Sequence, residues 1–255
     1  MESLTFDRAV EFYDKTRGLP EEAMRKTLDM LIPRLRDHRC LEIGVGTGRF
    51  ALPLSGAGIE MLGIDLSDAM LRKLIEQRSG ERPLVALADA TKLPFKDREF
   101  DAGLACHVFH LIPPWRDALA ELFRTVAPGG TVLHNFGHFG DDEWREIMHR
   151  FLDLAGLPRR HRGANDAEEV DRVARELGAE VEVLEVVNAT RPSSIARSID
   201  ALERGTFSIT WGADDATRKR AAESVREWAV ERFGDLAVER EVPVEDRWRS
   251  YRLSA

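Results

Sequence analysis

A glycine-rich turn is the first candidate ligand-binding feature of this sequence. The stretch CLEIGVGTGRF (40–50) carries glycine at 44, 46 and 48, directly after a short apolar run. Glycine at a strand-to-helix turn permits positive φ and lets a ligand approach the backbone closely. The N-terminus of the helix that follows such a turn favours nucleotides and nucleosides. This turn therefore predicts a nucleotide or nucleoside site.

The spacing within this turn narrows the ligand. A dinucleotide site of the G-x-G-x-x-G type requires glycine at position 49, where this chain has Arg49. A phosphate-binding P-loop requires G-K-[ST], which is absent here. The turn therefore favours a nucleoside without a pyrophosphate, and Arg49 argues against the alternative of a nicotinamide-dependent oxidoreductase.

Two acidic residues follow the next two apolar runs. Asp65 lies at the end of the second predicted strand, in MLGIDL (61–66). A carboxylate there can accept hydrogen bonds from both hydroxyls of a ribose. Leu66 and Met70 would then flank an adenine. Asp89, in ADATKLPF, is placed to accept a hydrogen bond from the adenine amino group, and Ala90 to contact the ring.

The elements that position these residues alternate between apolar runs and helical patterns. We expect strands at 40–45, 61–66, 84–89, 100–106 and 130–136, and helices at 47–56, 68–78 and 115–126. The sequence APGG (127–130) is typical of a helix end. Continuous apolar strands separated by helices indicate an α/β fold with a parallel sheet covered on both faces.

The pattern changes after residue 136. It predicts helices at 141–156, 166–178, 193–204 and 214–233, and strands at 179–187 and 245–253. Segments 137–165 and 188–243 therefore resemble insertions that leave the sheet at the carboxyl ends of strands, where ligands of such sheets bind. We expect these helical insertions to form a lid over the substrate site.

The ordered motifs resemble those of a known family. Residues 40–136 are similar to the core of class I S-adenosylmethionine-dependent methyltransferases, closest to the small-molecule group typified by ubiquinone and menaquinone biosynthesis enzymes. The motifs are LEIGVGTGRF, GIDLSDAML, ALADATKLPF and APGG. The resemblance implies S-adenosylmethionine as cofactor and a Rossmann-like, seven-stranded, mostly parallel sheet with helices on both faces.

The resemblance also implies an organisation of the chain. A single methyltransferase domain would span 1–255, with a cofactor-binding core at 40–136. The stretch YDKTRGLP (13–20) resembles the segment that closes over the cofactor, so 1–39 would be an N-terminal helical cover. Neither insertion carries a motif of the family, so the acceptor is not implied.

Carried over by position, the resemblance assigns cofactor-binding residues one by one. Glu42 and Gly44 would lie near the methionine portion, and Gly46 would allow its approach. The carbonyl of Cys106 would accept a hydrogen bond from the methionine amino group. Tyr13 and Arg17 would contact the cofactor from the cover. The roles of Asp65, Leu66, Met70, Asp89 and Ala90 would be those already given.

The implied reaction is methyl transfer to an O, N or C atom of a small-molecule acceptor by in-line displacement. A base is required only if the acceptor must lose a proton. His107 and His110 follow the fourth strand, and His134 and His138 flank the end of the fifth, so we expect all four near the crevice. His110 or His107 is the candidate base, although each is also consistent with a structural histidine.

Two aromatic residues are candidates for the acceptor pocket. Phe207 and Trp211 lie in the turn-like stretch GTFSITWGADD. Trp144, Met148 and Phe151 are spaced i, i+4, i+7 and are better explained as the packing face of a helix.

Composition limits the other partners. The formal net charge of −8 disfavours a nucleic-acid partner, although PRRHR (158–162) keeps a methyltransferase acting on RNA or protein as an alternative. The two cysteines, Cys40 and Cys106, do not form a zinc site, and the spacing of His134 and His138 does not suit a metal. A non-catalytic binding module on the same fold is a further alternative.

Localisation is also constrained by the sequence. The chain has no run of about 18 apolar residues that would span a membrane, and its start lacks the pattern of a signal peptide. We therefore expect a cytoplasmic protein with no membrane partner. The sequence does not indicate an oligomeric state.

Overall fold

The structure, a computed structural model, describes residues 18–136, 138–139 and 141–254. Its larger sheet contains β1 (Arg39–Ile43), β2 (Glu60–Asp65), β3 (Leu84–Leu87), β4 (Phe100–Cys106), β5 (Val126–Asn135), β7 (Glu180–Val183) and β10 (Trp248–Arg252). The strand order is β3-β2-β1-β4-β5-β10-β7. Strands β1 to β5 pair in parallel, and β10 is antiparallel to both of its neighbours. The predicted seven-stranded, mostly parallel sheet is confirmed.

Helices cover both faces of this sheet. They are α1 (Glu21–Leu35), α2 (Ala51–Gly56), α3 (Asp68–Gln77), α4 (Trp115–Thr125) and α6 (Ala167–Glu176). One apolar core joins α4 and α6 to the sheet through residues such as Leu119, Leu122 and Val170. A second core joins α1, α2 and α3 to the sheet through residues such as Leu35, Leu54 and Leu74. The sheet is thus buried on both faces, as its continuous apolar strands require.

The sequence APGG follows the end of α4, as predicted, but it lies within a strand. Helix α4 ends at Thr125, and β5 begins at Val126, so residues 127–130 lie within the strand. The pairing of β4 with β5 shifts register between Phe100 and Ala102, opposite this stretch. A Cβ at Gly130 would lie 2.5 Å from the carbonyl oxygen of Asp101. The glycine therefore allows a bulge, in which the two strands approach closely.

The strand predicted at 179–187 is divided between two sheets. Strand β7 ends at Val183, and the backbone N–H of Leu184 still donates to the carbonyl of Trp248 at 3.0 Å. The chain then leaves the larger sheet and starts β8 (Val187–Ser193). Apolar residues continue through this break at 183, 184, 186 and 187, which explains why the pattern predicted one strand.

A smaller sheet has the strand order β6-β9-β8, with β6 (His138–Phe139) and β9 (Arg240–Asp246). The helices of this part are α5 (Asp142–Leu154), α7 (Ile195–Glu203) and α8 (Asp215–Phe233). Their shared core includes Phe151, Ile199 and Val225, with Trp144 and Met148 packed against it. The helical packing face expected from their i, i+4, i+7 spacing is thus found.

The chain divides into two compact units, here called the first unit (1–137, 162–187 and 246–255) and the second unit (138–161 and 188–245). Residues 162–165, which the sequence placed in an insertion, belong to the first unit. The N–H of Gly163 donates to the carbonyl of His110, and that of Ala164 to the carbonyl of Phe109. A lid function for the second unit stays a prediction.

His134 is buried in the first unit, so the expectation that it lies at the crevice is wrong. It is 1% exposed, and its Nδ1 lies 2.9 Å from the hydroxyl of Tyr251. That hydroxyl donates to Asp171 at 2.8 Å, so its only proton is used and Nδ1 of His134 must be the donor. Asp171 also pairs with Arg249. His134 is therefore a structural histidine held as the neutral imidazole.

This burial predicts how stability depends on pH. Burial lowers the pKa of His134 to about 3, whereas a histidine in the unfolded chain has a pKa of about 6.5. Between these values only the unfolded chain binds the proton, so the free energy of unfolding should fall as pH falls below about 6.5. The slope from this group approaches about 1.4 kcal/mol per pH unit.

Urea denaturation between pH 4 and 8 measures this slope in the wild type and in His134→Gln. The variant should be less stable at pH 7. Its free energy of unfolding should also change less with pH, by up to about 1.4 kcal/mol per pH unit. His149→Gln is the matched control, because it removes a histidine outside this network and should keep the wild-type slope. A His134→Gln variant with an unchanged slope would contradict the interpretation.

Candidate functional site

The glycine turn after β1 serves two separate purposes. Gly44, Gly46 and Gly48 have φ values of 67°, 54° and 89°, a region that side chains rarely adopt. A Cβ at Gly44 would lie 2.4 Å from Cγ2 of Val108, so no side chain fits there. A Cβ at Gly48 would instead meet the side chains of Leu52 and Leu74 within 2.9 Å. Gly44 and Gly46 line a cleft, whereas Gly48 allows helix packing.

Asp65, at the end of β2, is tied to this turn. Its Oδ2 accepts the backbone N–H of Gly46 at 2.9 Å, and its Oδ1 accepts that of Ser67 at 2.9 Å. Ser67 also caps α3 through a hydrogen bond from the N–H of Met70. Two backbone donors therefore fix the orientation of the carboxylate.

The cleft has a volume of about 620 Å³ and lies within the first unit. Its lining is mostly apolar, with few polar side chains, as is usual for a small-molecule site. The lining residues are Gly44, Gly46, Ile64, Asp65, Leu66, Met70, Ala88, Asp89, Ala90, His107, Val108, Leu111 and Ile112.

Asp89 is the second acidic side chain of the cleft. Its Oδ1 accepts both the backbone N–H and the hydroxyl of Thr91 at 2.8 Å. This local turn holds the carboxylate beside Ala90, which is buried. Leu66 and Met70 line the same cleft. The four residues expected to surround an adenine are thus found together.

Two polar side chains near the glycine turn, the buried Glu42 and the half-buried Arg49, have atoms without hydrogen-bond partners within the described residues. Glu42 is 2% exposed, and burial raises its pKa to about 8 although Arg49 opposes this shift. Within the part of the chain that the structure describes, Oε2 of Glu42 has no hydrogen-bond donor, and Nε and Nη2 of Arg49 have no acceptor. Such buried polar atoms are costly unless a ligand satisfies them.

The turn after β4 carries His107 in the left-handed region, at φ 51°. The backbone N–H of His107 donates to the backbone carbonyl of Asn135 at 2.9 Å. The side chain of Asn135 in turn donates to Asp246 at 2.7 Å, and Asp246 also accepts hydrogen bonds from Thr27 and Trp248. This buried carboxylate therefore links α1, β5 and β10 to the loop that brings His107 to the cleft.

The residues that line the cleft do not include Cys106, His110, Phe207 or Trp211. Cys106 is buried, and burial raises the pKa of its thiol. His110 does not line the cleft, and its ring centroid lies 6.0 Å from that of Phe136. Phe207 and Trp211 belong to the second unit. Tyr13 and Arg17 lie outside the described residues.

Sequence reasoning missed part of the cleft wall. Val108, Leu111 and Ile112 line the cleft, and all three come from the stretch HVFHLIPP after β4. Apolar residues at the carboxyl end of a buried strand were a usable signal, but the two histidines in the same stretch drew the chemical interpretation instead.

The described residues contain neither a candidate metal cluster nor a membrane-spanning helix. No group of three or more histidine, cysteine or acidic side chains within residues 18–136, 138–139 and 141–254 could hold a metal ion. None of the helices in those ranges is long and apolar enough to cross a membrane.

Comparison with known proteins agrees with the site. Residues 41–134 match the family model described as a methyltransferase domain. A demethylmenaquinone methyltransferase of Streptomyces avermitilis is 33% identical over 158 residues, which are 60% of this chain and 67% of that protein. A malonyl-[acyl-carrier protein] O-methyltransferase of Geobacter sulfurreducens is 29% identical over 243 residues, 90% of each chain.

Solved structures share the fold. The YcgJ protein of Bacillus subtilis has a TM-score of 0.63 at 17% identity, covering 91% of this chain and all of that one. The phosphoethanolamine N-methyltransferase 2 of Haemonchus contortus, bound to S-adenosylhomocysteine, has a TM-score of 0.58 at 16% identity, covering 98% and 58%. The chain aligns at 33% identity with about two thirds of the Streptomyces avermitilis enzyme. It therefore belongs to the S-adenosylmethionine-dependent methyltransferases.

Proposed function

We propose that the protein transfers the methyl group of S-adenosylmethionine to a small-molecule acceptor, and that the cleft of the first unit holds the adenosine part of the cofactor. The observation that carries this assignment is the Asp65 carboxylate, oriented by two backbone N–H groups inside an apolar cleft of suitable size. A ribose offers two adjacent hydroxyls, which match two acceptor oxygens held in one orientation.

The rest of the cofactor would be held by residues around this anchor. Asp89 and Ala90 would read the edge of the adenine, with Leu66 and Met70 packed on the ring. Glu42, with a donor-free oxygen, would accept a hydrogen bond from the methionine amino group, near Gly44 and Gly46. The main-chain carbonyl of Cys106, together with Tyr13 and Arg17, completes the proposed set.

The bound cofactor supplies an activated methyl group, so the chain mainly has to position the acceptor in line behind it. Such positioning can lower a barrier by roughly 7–11 kcal/mol. The relatives named above act on demethylmenaquinone and on malonyl-[acyl-carrier protein], according to their names. These names support a small acceptor group and leave the methylated atom open.

Phe207 and Trp211 remain the proposed contacts for the acceptor. Phe207 packs on Trp144 with ring centroids 5.1 Å apart. The indole N–H of Trp211 donates to the carbonyl of Gly205 at 2.7 Å, which stabilises the turn that carries both residues. A substitution at Trp211 would therefore affect this turn as well as any contact with the acceptor.

Removal of the Asp65 carboxylate tests the cofactor assignment. Asp65→Ala should weaken binding of S-adenosylmethionine by about 2–4 kcal/mol, because charge-assisted hydrogen bonds in a desolvated site are lost. Titration calorimetry measures the change. Asp68→Ala is the matched control, because Asp68 is an exposed carboxylate that pairs with Arg72 on the same helix. Equal affinities for Asp65→Ala and the wild type would refute the assignment.

His110 is the proposed base for acceptors that lose a proton. His110→Ala should lower turnover by roughly 10²–10⁴-fold, the usual range for loss of a general base. Cofactor affinity should barely change, because the adenosine is held by other residues. The wild-type rate should fall as the imidazole becomes protonated at low pH, and the variant should lack this step in its pH profile.

His107→Asn is the comparison for this experiment, because asparagine tolerates the left-handed backbone of His107. Since His107 lines the cleft, its substitution should weaken cofactor binding more than it changes the pH profile. A fully active His110→Ala enzyme would leave positioning alone as the mechanism, with the proton passing to water.

A further inference from the structure

The second unit contains a pocket of its own, with a volume of about 540 Å³. It lies among the start of α5, strands β8 and β9, and one face of α7. The lining residues are Asp141, Trp144, Arg191, Ser193, Arg197, Ser198, Ala201, Phe207, Arg240 and Val242. All of them belong to the second unit, and Phe207 is the one among them that is also proposed above as a contact for the acceptor.

Guanidinium groups are the main charged groups in the lining of this pocket. Three line it, from Arg191, Arg197 and Arg240, against a single carboxylate, that of Asp141, and two of the three pair with glutamates outside the lining. Asp141 is already used as the cap of α5, where its Oδ1 accepts the N–H of Trp144 at 2.8 Å. The one acidic side chain of the lining therefore serves the helix that it starts.

Two of the arginines also pair with glutamates outside the pocket lining. These ion pairs do not use all the N–H donors of either guanidinium group. Arg197 pairs with Glu239, and Arg240 pairs with Glu143, each through one nitrogen of the guanidinium group. A guanidinium group has five N–H donors in a planar fork. Nε of Arg240 is buried and has no acceptor within the described residues, and Oε2 of Glu143, which pairs with Arg240, has no hydrogen-bond donor there either. A ligand with acceptor oxygens would satisfy such donors.

Arg191 adds a desolvated charge. It lies half-buried on β8, and burial lowers the pKa of its guanidinium group. A cation that has lost water gains more from an anion than an exposed cation does, because the local dielectric is lower. The pocket is therefore better suited to a negative group than an exposed arginine cluster would be.

Part of the lining is apolar. Trp144 and Phe207 pack together at an interplanar angle of 52°, and Ala201 and Val242 also line the pocket. Aromatic side chains bind flat or aliphatic groups through buried apolar area. The pocket thus offers both cationic and apolar groups to a single ligand.

We infer that this pocket binds a small organic anion, a carboxylate or a phosphate attached to an apolar or aromatic group, with Arg191 and Arg240 on the anion and Trp144 with Phe207 on the apolar part. The inference concerns binding by the second unit. It does not depend on cofactor binding by the first unit, which the Asp65 experiment tests separately.

Titration calorimetry with the full chain, in low salt, tests this inference. The probes are phenylacetate and phenyl phosphate, with the neutral analogue 2-phenylethanol as the comparison. At least one anion should bind tenfold or more tightly than the alcohol, and its affinity should fall as salt rises. The two anions distinguish a carboxylate site from a phosphate site.

Arg191→Met should weaken the preferred anion at least tenfold, and Arg191→Lys should recover part of the loss because it keeps the charge. Arg232→Met is the matched control, since Arg232 is an exposed, ion-paired arginine of the same unit and should bind within twofold of the wild type. Circular dichroism checks that each variant folds, and quenching of tryptophan fluorescence by the probes in the wild type gives a second measurement. Equal affinity for anion and alcohol, or unchanged anion affinity in Arg191→Met, would overturn the inference.

Discussion

The pair of hydrogen bonds that Asp65 accepts is the interaction on which the site depends. One bond comes from Gly46 in the turn after β1 and the other from Ser67 at the start of α3. The carboxylate therefore joins two neighbouring strands at their carboxyl ends and keeps the glycine turn in its positive-φ conformation. A parallel sheet places these strand ends side by side, so the fold itself produces the ligand cleft.

The sequence predicted this part of the molecule well because backbone geometry limits the choice of residue there. Gly44 has a φ of 67° and no room for a Cβ, and β1 and β4 are buried enough to read as continuous apolar runs. Asp65 and Asp89 were expected from their places after strands, and both line the cleft. Residues that are restricted by local geometry leave a signal that needs no knowledge of distant contacts.

The features that escaped prediction depend on contacts far apart in sequence. The burial of His134 follows from Tyr251, which lies 117 residues away, and no local pattern distinguishes it from the half-buried histidines. The break between β7 and β8 follows from pairing with Trp248, and the bulge in β5 follows from pairing with β4. The arginines of the second pocket come from β8, α7 and β9, so only the folded chain brings them together.

The central claim is that Asp65 holds the ribose of the cofactor, and a change in the ligand tests it without changing the protein. Titration calorimetry should compare S-adenosylhomocysteine with its 2′-deoxy and 3′-deoxy analogues. Each analogue leaves one oxygen of the desolvated carboxylate without its hydroxyl partner, so each should bind roughly tenfold or more weakly than the parent compound. Affinities equal to that of the parent for both analogues would contradict the account.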